Sequence, residues 1–154
     1  MSQDGPTLRQ ASVAVWGLVR GWERYREVVA DELGIGPTEV VALGLLYHGG
    51  PLTPSDLGQR LNLTSGSVTA LLDRLEAAAF VTRTPNPDDR RSLLAALTPA
   101  GRHAMQWFWG MVDEMITGAL AGVPALPVHD LVTFAESAAT ALTERARESR
   151  EQRP

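Results

Sequence analysis

The sequence of 154 residues contains no cysteine and no lysine, and each absence narrows what the protein can be. Without cysteine, a disulfide framework, a thiolate nucleophile, a cysteine redox sensor and a cysteine-ligated zinc site are excluded. All 14 basic residues are arginine, which reflects a coding bias as readily as a demand for planar guanidinium groups. No apolar run is long enough to cross a membrane, and residues 1–10 do not resemble a secretion signal, so we expect a cytoplasmic protein without a membrane partner.

Acidic residues outnumber basic residues by 18 to 14, which gives a net charge of −4. The middle third, residues 53–102, carries six arginines against five acids, whereas the residues on either side are net acidic. This small excess does not establish a nucleic-acid surface, since mixed charge is ordinary on soluble proteins. It indicates where such a surface would lie.

Apolar residues at three- and four-residue spacing predict a mainly α protein of about six helices. Glycine and proline supply the breaks between them. The predicted helices span 8–33, 37–48, 54–61, 65 to about 79, 99 to the break at 122–127, and about 129–147.

Two of these helices are close together and each begins after a threonine. Thr53 precedes a proline and lies three residues before Asp56, and Thr64 can cap the next helix, so the pair is a helix-turn-helix candidate. The segments "FVTRT" and "SLLAAL" follow, separated by proline, asparagine and aspartate, and predict a β-hairpin. A hairpin directly after a recognition-type helix is a wing.

The segment at residues 52–102 resembles the MarR family of winged helix-turn-helix transcription regulators. The motifs that carry the resemblance are "LLDRLE" at 71–76, Asp89-any-Arg91, and "LT-any-any-G" at Leu97, Thr98 and Gly101. The resemblance implies one MarR-like domain over residues 1–154, with a DNA-binding lobe at 36–98 and dimerisation helices at 7–33 and 99–147. It further implies a homodimer on a pseudo-palindromic operator in double-stranded DNA, and repression relieved by a small aromatic or anionic molecule.

One position departs from the family pattern, because Ala79 stands where the family usually has glycine. If a left-handed backbone is needed there, alanine carries a steric cost on the order of 1 kcal/mol. The recognition helix would then end differently, and the wing would be slightly re-angled.

The recognition helix is predicted to present small side chains to DNA. With Val68 and Leu75 inward, Gly66, Ala70 and Asp73 lie outward, which lets the helix sit deep in a groove but offers little bidentate base readout. The alternative interpretation is the exposed side of an ordinary surface helix. The candidate DNA-contacting residues are Thr53, Thr64, Ser65, Ser67, Thr69, Arg74, Arg83, Arg90 and Arg91.

The four charges of the hairpin have opposed effects on DNA. Asp88 and Asp89 would repel phosphates, but Asp89 can accept the Arg91 guanidinium or the amide hydrogens of the turn. The resemblance implies that Asp89 orders the wing while Arg91 enters the minor groove, and Arg90 is a neighbouring phosphate candidate. The alternative is a self-neutralising surface cluster of little consequence.

An effector site is expected where the dimerisation helices, at 7–33 and 99–147, join the winged lobe. Aromatic walls with one arginine would suit an aromatic carboxylate, although each aromatic residue taken singly fits a core or an interface as well. The candidate effector residues are Trp16, Arg20, Tyr47, His48 and Trp107.

No catalytic residue, cofactor or metal site is predicted. The three histidines are far apart in sequence and lack a carboxylate at ligand spacing, and no nucleophile elbow or phosphate loop is present. Two alternatives to a DNA-binding regulator stay open. One is a dimeric winged-helix adaptor that binds protein, and the other is a small-ligand carrier or enzyme without DNA binding.

Overall fold

Six helices and one antiparallel hairpin form the part of the chain that the computed structural model describes, residues 6–89, 91–123 and 125–151. The elements are α1 (Leu8–Leu33), α2 (Pro37–Gly49), α3 (Pro54–Leu61), α4 (Ser65–Ala77), β1 (Val81–Pro85), β2 (Leu93–Leu97), α5 (Pro99–Ala121) and α6 (Val128–Glu151). This order confirms the winged helix-turn-helix predicted from the sequence. Two bounds differ, because α4 ends two residues earlier than predicted and α6 continues past residue 147.

The helix ends are set by capping residues. The Thr53 and Thr64 hydroxyls accept the amide hydrogens of Asp56 and Ser67 at 3.1 and 3.3 Å, which satisfies donors in the first turns of α3 and α4. Gly34 ends α1 with φ of +66°, a conformation that glycine adopts without steric cost.

The chain divides into two units at the Trp109–Gly110 bond, inside α5. In the first unit, the core beneath the helix-turn-helix is aliphatic. Its largest members are each at most 2% exposed, and they are Leu43, Leu57, Leu71, Leu72 and Leu75. In the second unit, α6 leaves the apolar side chains of Val132, Phe134 and Leu142 exposed.

The wing is anchored at its base by a third segment. Strands β1 and β2 pair from Val81 opposite Leu97 to Pro85 opposite Leu93. Leu52, between α2 and α3, exchanges two backbone hydrogen bonds with Ala95 at 2.8 and 3.1 Å. The second strand of the wing is therefore tied to the start of the helix-turn-helix.

The end of α4 answers the question raised by Ala79. Its φ is +60°, so alanine adopts the left-handed conformation itself and the helix end is not rearranged. The amide hydrogens of Phe80 and Ala79 are accepted by the carbonyls of Leu75 and Glu76 at 3.0 and 2.9 Å, which is the Schellman pattern. The expected change in helix ending is wrong, because these two bonds hold the backbone in place.

The "LT-any-any-G" motif locks this helix end to the start of α5. The Thr98 hydroxyl donates to the Ala79 carbonyl at 2.7 Å and accepts the Gly101 amide hydrogen at 3.0 Å. The Thr98 amide donates to the Phe80 carbonyl at 3.0 Å. One threonine thus caps α5 and fixes the chain between α4 and β1.

Replacing Ala79 by glycine should stabilise the protein. Glycine removes the steric cost of the left-handed backbone, and we expect the free energy of unfolding to rise by about 1 kcal/mol, measured by urea denaturation. Ala77→Gly, within the last turn of α4, is the control and should lower it by a similar amount. A decrease for Ala79→Gly would contradict the strain described here.

Candidate nucleic-acid interface

The outward face of α4 is built of small side chains. Ser65, Gly66, Ser67, Thr69 and Ala70 are all exposed, whereas the opposite face supplies leucines to the core. The Thr69 hydroxyl donates to the Ser65 carbonyl at 3.0 Å, so its oxygen can still accept a hydrogen bond. A helix of this profile can approach the floor of a groove closely.

Arg83 joins the wing to this helix. Its guanidinium lies 2.7 Å from Asp73 Oδ1 and 3.0 Å from Glu76 Oε2, and it also donates to the Thr69 carbonyl at 3.3 Å. The Arg83 amide donates to the other Glu76 oxygen at 3.1 Å. The two carboxylates therefore more than offset the single positive charge of Arg83, and the contacts hold β1 against α4.

Arg74 is paired with a residue that sequence reasoning missed. Its Nε donates to Oε1 of Glu39 at 2.5 Å, and Glu39 is 4% exposed at the start of α2. The partners are 35 positions apart, so no local spacing indicates the pair.

Asp89 forms hydrogen bonds with the backbone of the wing loop. Its Oδ1 accepts the Arg91 amide hydrogen at 3.0 Å, and its carbonyl accepts the Ser92 amide hydrogen at 3.0 Å. Across the loop, Asn86 donates from Nδ2 to the Ser92 hydroxyl at 2.9 Å. Of the two roles the sequence left open for the Asp89 side chain, capture of the turn amide is the one that this geometry realises.

The Arg91 side chain is exposed, and its guanidinium has no acceptor among the residues that the structure describes. Arg90, its predicted companion, lies outside the described residues. One surface depression is lined by Thr53 and Ser55 at the start of α3 and by Asp89, Arg91 and Ser92 of the wing. The fold thus brings the α3 cap and the wing arginine to one surface.

A second concave feature lies among α1, α2, α3 and α5. This cavity of about 470 Å³ has aromatic walls and two arginines. Its polar and aromatic lining residues are Trp22, Arg26, His48, Arg60, Phe108 and Trp109. The rings pack against one another, with Trp22 5.6 Å from Phe108 and His48 4.7 Å from Trp109 between centroids.

Of the predicted effector residues, His48 alone lines this cavity. Trp16 is 65% exposed and contacts the Arg20 guanidinium at 5.7 Å, while Trp107 is 39% exposed. Tyr47 packs its ring on His48 outside the lining. The predicted α1 residues, Trp16 and Arg20, lie outside this cavity, whereas Trp22 and Arg26 of the same helix line it.

Three buried polar atoms, two in residues that line the cavity and one in Tyr25 stacked on Phe108, have no hydrogen-bond partner within the described residues. They are Tyr25 Oη, Arg26 Nε and Trp109 Nε1, and all three can donate a hydrogen bond. Burial, and then the negative charge of Glu32, raises the pKa of the Tyr25 phenol above its ordinary value. The phenol therefore stays protonated as a donor.

Within the described residues, no group of histidines and acids could hold a metal ion. In the same part of the chain, no helix is both long enough and apolar enough to span a bilayer.

Comparison with known proteins identifies the family. Residues 33–92 match the family model described as the MarR family. YkoM of Bacillus subtilis, an uncharacterized HTH-type transcriptional regulator, is 35% identical over 109 residues, which cover 71% of both chains. The chain belongs to the MarR family.

Further comparisons concern a second sequence relative and two solved structures. YcgE of Bacillus subtilis, also an uncharacterized HTH-type transcriptional regulator, is 39% identical over 85 residues, or 54% of this chain and 55% of YcgE. The crystal structure of the S. aureus MepR–DNA complex aligns with a TM-score of 0.59 and 21% identity over 80% of this chain and 98% of MepR. NadR in complex with 4-hydroxyphenylacetate aligns with a TM-score of 0.68 and 18% identity over 92% and 96%.

Family membership decides between the broad function classes. MarR-family proteins are transcriptional regulators and not enzymes, so the enzyme alternative is excluded. The identity to the two crystal structures is low, and that likeness concerns the winged-helix fold.

Proposed function

We propose that this MarR-family protein is a repressor that binds a pseudo-palindromic operator as a homodimer and is released by a small aromatic or anionic ligand. The observation that carries the DNA-binding part is the exposed guanidinium of Arg91, which has no acceptor among the described residues and shares one surface depression with Thr53 and Ser55 at the start of α3. The existence of a DNA-bound structure of the similarly folded MepR supports the same conclusion.

In this proposal α4 enters the major groove and Arg91 enters the adjacent minor groove. Ser65, Ser67 and Thr69 contact base edges or phosphates, and Thr53 and Thr64 face phosphates from the helix starts. Because these groups are small or neutral, sequence preference depends largely on groove shape, which favours narrow A/T-rich tracts under Arg91. Arg83, matched by two acids, serves mainly to hold the wing on α4.

Dimerisation in this proposal uses the exposed apolar faces of the end helices. Val13, Trp16 and Leu18 on α1 are 62–67% exposed, a display that is costly to leave in water. A second copy would cover them and place two winged lobes about one helical turn of DNA apart.

The effector site in this proposal is the cavity lined by Trp22, Phe108 and Trp109. Flat aromatic walls suit an aromatic ring, and Arg26 and Arg60 suit its carboxylate. The unpartnered donors Arg26 Nε and Trp109 Nε1 are groups that a ligand could satisfy. That NadR was crystallised with 4-hydroxyphenylacetate supports this ligand class.

Replacing Arg26 by glutamine should raise the concentration of carboxylate that is needed to release the protein from DNA. Loss of a charge-assisted hydrogen bond is expected to weaken binding of aromatic monocarboxylates, 4-hydroxyphenylacetate among them, by about tenfold. The measurement is release of labelled operator as carboxylate is titrated. Arg24→Gln, on the same helix but outside the lining, is the control. If both variants respond as the wild type does, the carboxylate is not held by Arg26.

The proposal as a whole is tested by selecting DNA from a randomised duplex library with the purified protein. The expected product is an inverted repeat bound by two protomers, measured by gel retardation and by the mass of the complex. A protein-binding adaptor would retain no DNA even at low salt. A ligand carrier would bind carboxylates yet enrich no sequence.

A further inference from the structure

The start of α2 buries a carboxylate. Glu39 is the one charged residue that is buried in the part of the chain that the structure describes. A buried carboxylate is costly unless it is paired and hydrogen-bonded, so its partners are well defined by necessity.

Both Glu39 oxygens are engaged. Oε2 accepts the Gly36 amide hydrogen at 2.6 Å, which closes the first turn of α2, and Oε1 accepts Arg74 Nε at 2.5 Å. Arg74 lies on α4, the helix whose outward face carries Ser67 and Thr69. The contact therefore fixes an α4 side chain from a helix outside the helix-turn-helix.

The pair is asymmetric in exposure. The Glu39 side chain is 5% exposed, whereas that of Arg74 is 61% exposed. Only Nε of Arg74 is used, and no described residue accepts from its two terminal NH₂ groups. These four N–H donors face solvent on a guanidinium whose orientation is already set. Arg83 differs, since both of its terminal nitrogens contact carboxylates.

We propose that Glu39 is a positioning residue for DNA binding, which holds Arg74 by Nε so that its outer NH₂ groups meet a phosphate beside the groove. This inference rests on the proposed DNA-binding function. A long side chain that is already fixed before DNA binds loses less conformational entropy on binding. A guanidinium has five N–H donors, so it can donate to a carboxylate and to a phosphate at the same time. Because Glu39 is paired with Arg74, the guanidinium offsets its negative charge as DNA approaches.

The test is a double-mutant cycle of Glu39→Gln and Arg74→Ala on the duplex that the wild-type protein enriches from a randomised library. Binding is measured by fluorescence anisotropy over a range of salt concentrations. Glu39→Gln removes a negative charge, yet we expect binding to weaken by about fivefold to tenfold, as for a lost charge-assisted contact. Arg74→Ala should weaken binding by at least as much and lower the salt slope by about 0.9 per bound lobe.

Non-additivity is the decisive part of the cycle. The double variant should bind no more weakly than Arg74→Ala, because Glu39 acts through Arg74. The control is Glu27→Gln, which removes an exposed acid on α1 and should leave affinity unchanged within twofold. Arg74→Lys keeps the charge but lacks the planar fork, so it should not restore wild-type affinity.

Three results would overturn the positioning role. They are binding by Glu39→Gln that equals or exceeds that of the wild type, an unchanged salt slope in Arg74→Ala, and a double variant that binds more weakly than Arg74→Ala. If Glu39→Gln does not fold, Glu39→Asp, which shortens the side chain and keeps its charge, takes its place in the cycle. If the wild type enriches no duplex, the DNA-binding function itself fails and the inference fails with it, whereas enrichment with any of the first three results removes the inference alone.

Discussion

We expect Arg91→Ala to weaken binding of the proposed operator by about tenfold or more while leaving the free energy of unfolding within about 0.5 kcal/mol of the wild type. The reason is that the Arg91 guanidinium has no acceptor among the described residues, so its removal breaks no contact of the described fold. The turn keeps its shape, because Asp89 accepts the backbone amide of residue 91 and alanine retains that amide. Affinity is measured by anisotropy and stability by urea denaturation.

The control for this prediction is Arg24→Ala, which deletes an exposed arginine of α1, outside the winged lobe. If charge alone mattered, the two variants would lose affinity equally. If Arg91→Ala destabilises the protein as much as it weakens binding, or leaves the affinity unchanged, the wing arginine is not the contact proposed here. A loss confined to duplexes with narrow A/T-rich tracts would place Arg91 in the minor groove.

Gly101→Ala should be the most destabilising of the substitutions considered, lowering the free energy of unfolding by about 2–3 kcal/mol. A Cβ built at Gly101 overlaps the Phe80 carbonyl, a backbone group that cannot turn aside as a flexible side chain could. That carbonyl is itself held by the Thr98 amide at 3.0 Å. Because the same contacts join α4, β1 and α5, operator affinity should fall too.

Gly110→Ala is the matched control for this substitution. It adds the same methyl group to the same helix at a position where nothing lies within 4 Å, so it should be neutral or stabilising by up to about 1 kcal/mol. Urea denaturation of both variants provides the comparison. A Gly101→Ala protein as stable as the wild type would show that the junction can relax, contrary to the packing described here.

Helix positions could be predicted from the sequence because their signals are local. Thr53 and Thr64 satisfy the first turns of α3 and α4 within three residues, and Gly34 ends α1 by its own backbone conformation. The end of α4 was harder. Whether Ala79 adopts a left-handed backbone depends on the hydrogen bonds that hold it. One of them is donated by Thr98, which lies 19 positions away in the sequence.

A contact could be predicted from the sequence where one segment contains both partners. Asp89 and Arg91 are two positions apart, so the bond between the Asp89 carboxylate and the Arg91 amide could be expected, whereas the roles of both residues in DNA binding stay predictions. Glu39 could not be found in this way, because its partner Arg74 is brought to it by the packing of separate helices. The ion pairs of Arg83 with Asp73 and Glu76 likewise depend on the packing of β1 against α4.

The cavity shows the same limit. Trp16 and Trp22 lie on one helix, and both satisfy the description of an aromatic residue near the winged lobe. Because the two residues are six positions apart, they lie on different faces of α1. Of the two, Trp22 is the one whose ring contacts those of Phe108 and Trp109. Composition and spacing predict an aromatic site but not which aromatic residues line it.

In the proposed complex, α4 and the wing of one lobe lie in adjacent grooves of a single duplex. A dimethyl sulfate footprint on the selected duplex tests it in one measurement, because guanine N7 reports the major groove and adenine N3 reports the minor groove. We expect two patches of protected guanine N7 about one helical turn apart, flanked by protected adenine N3 that becomes reactive again in Arg91→Ala. Equal reactivity of both positions with and without the protein, at concentrations that retard the duplex, would contradict the account.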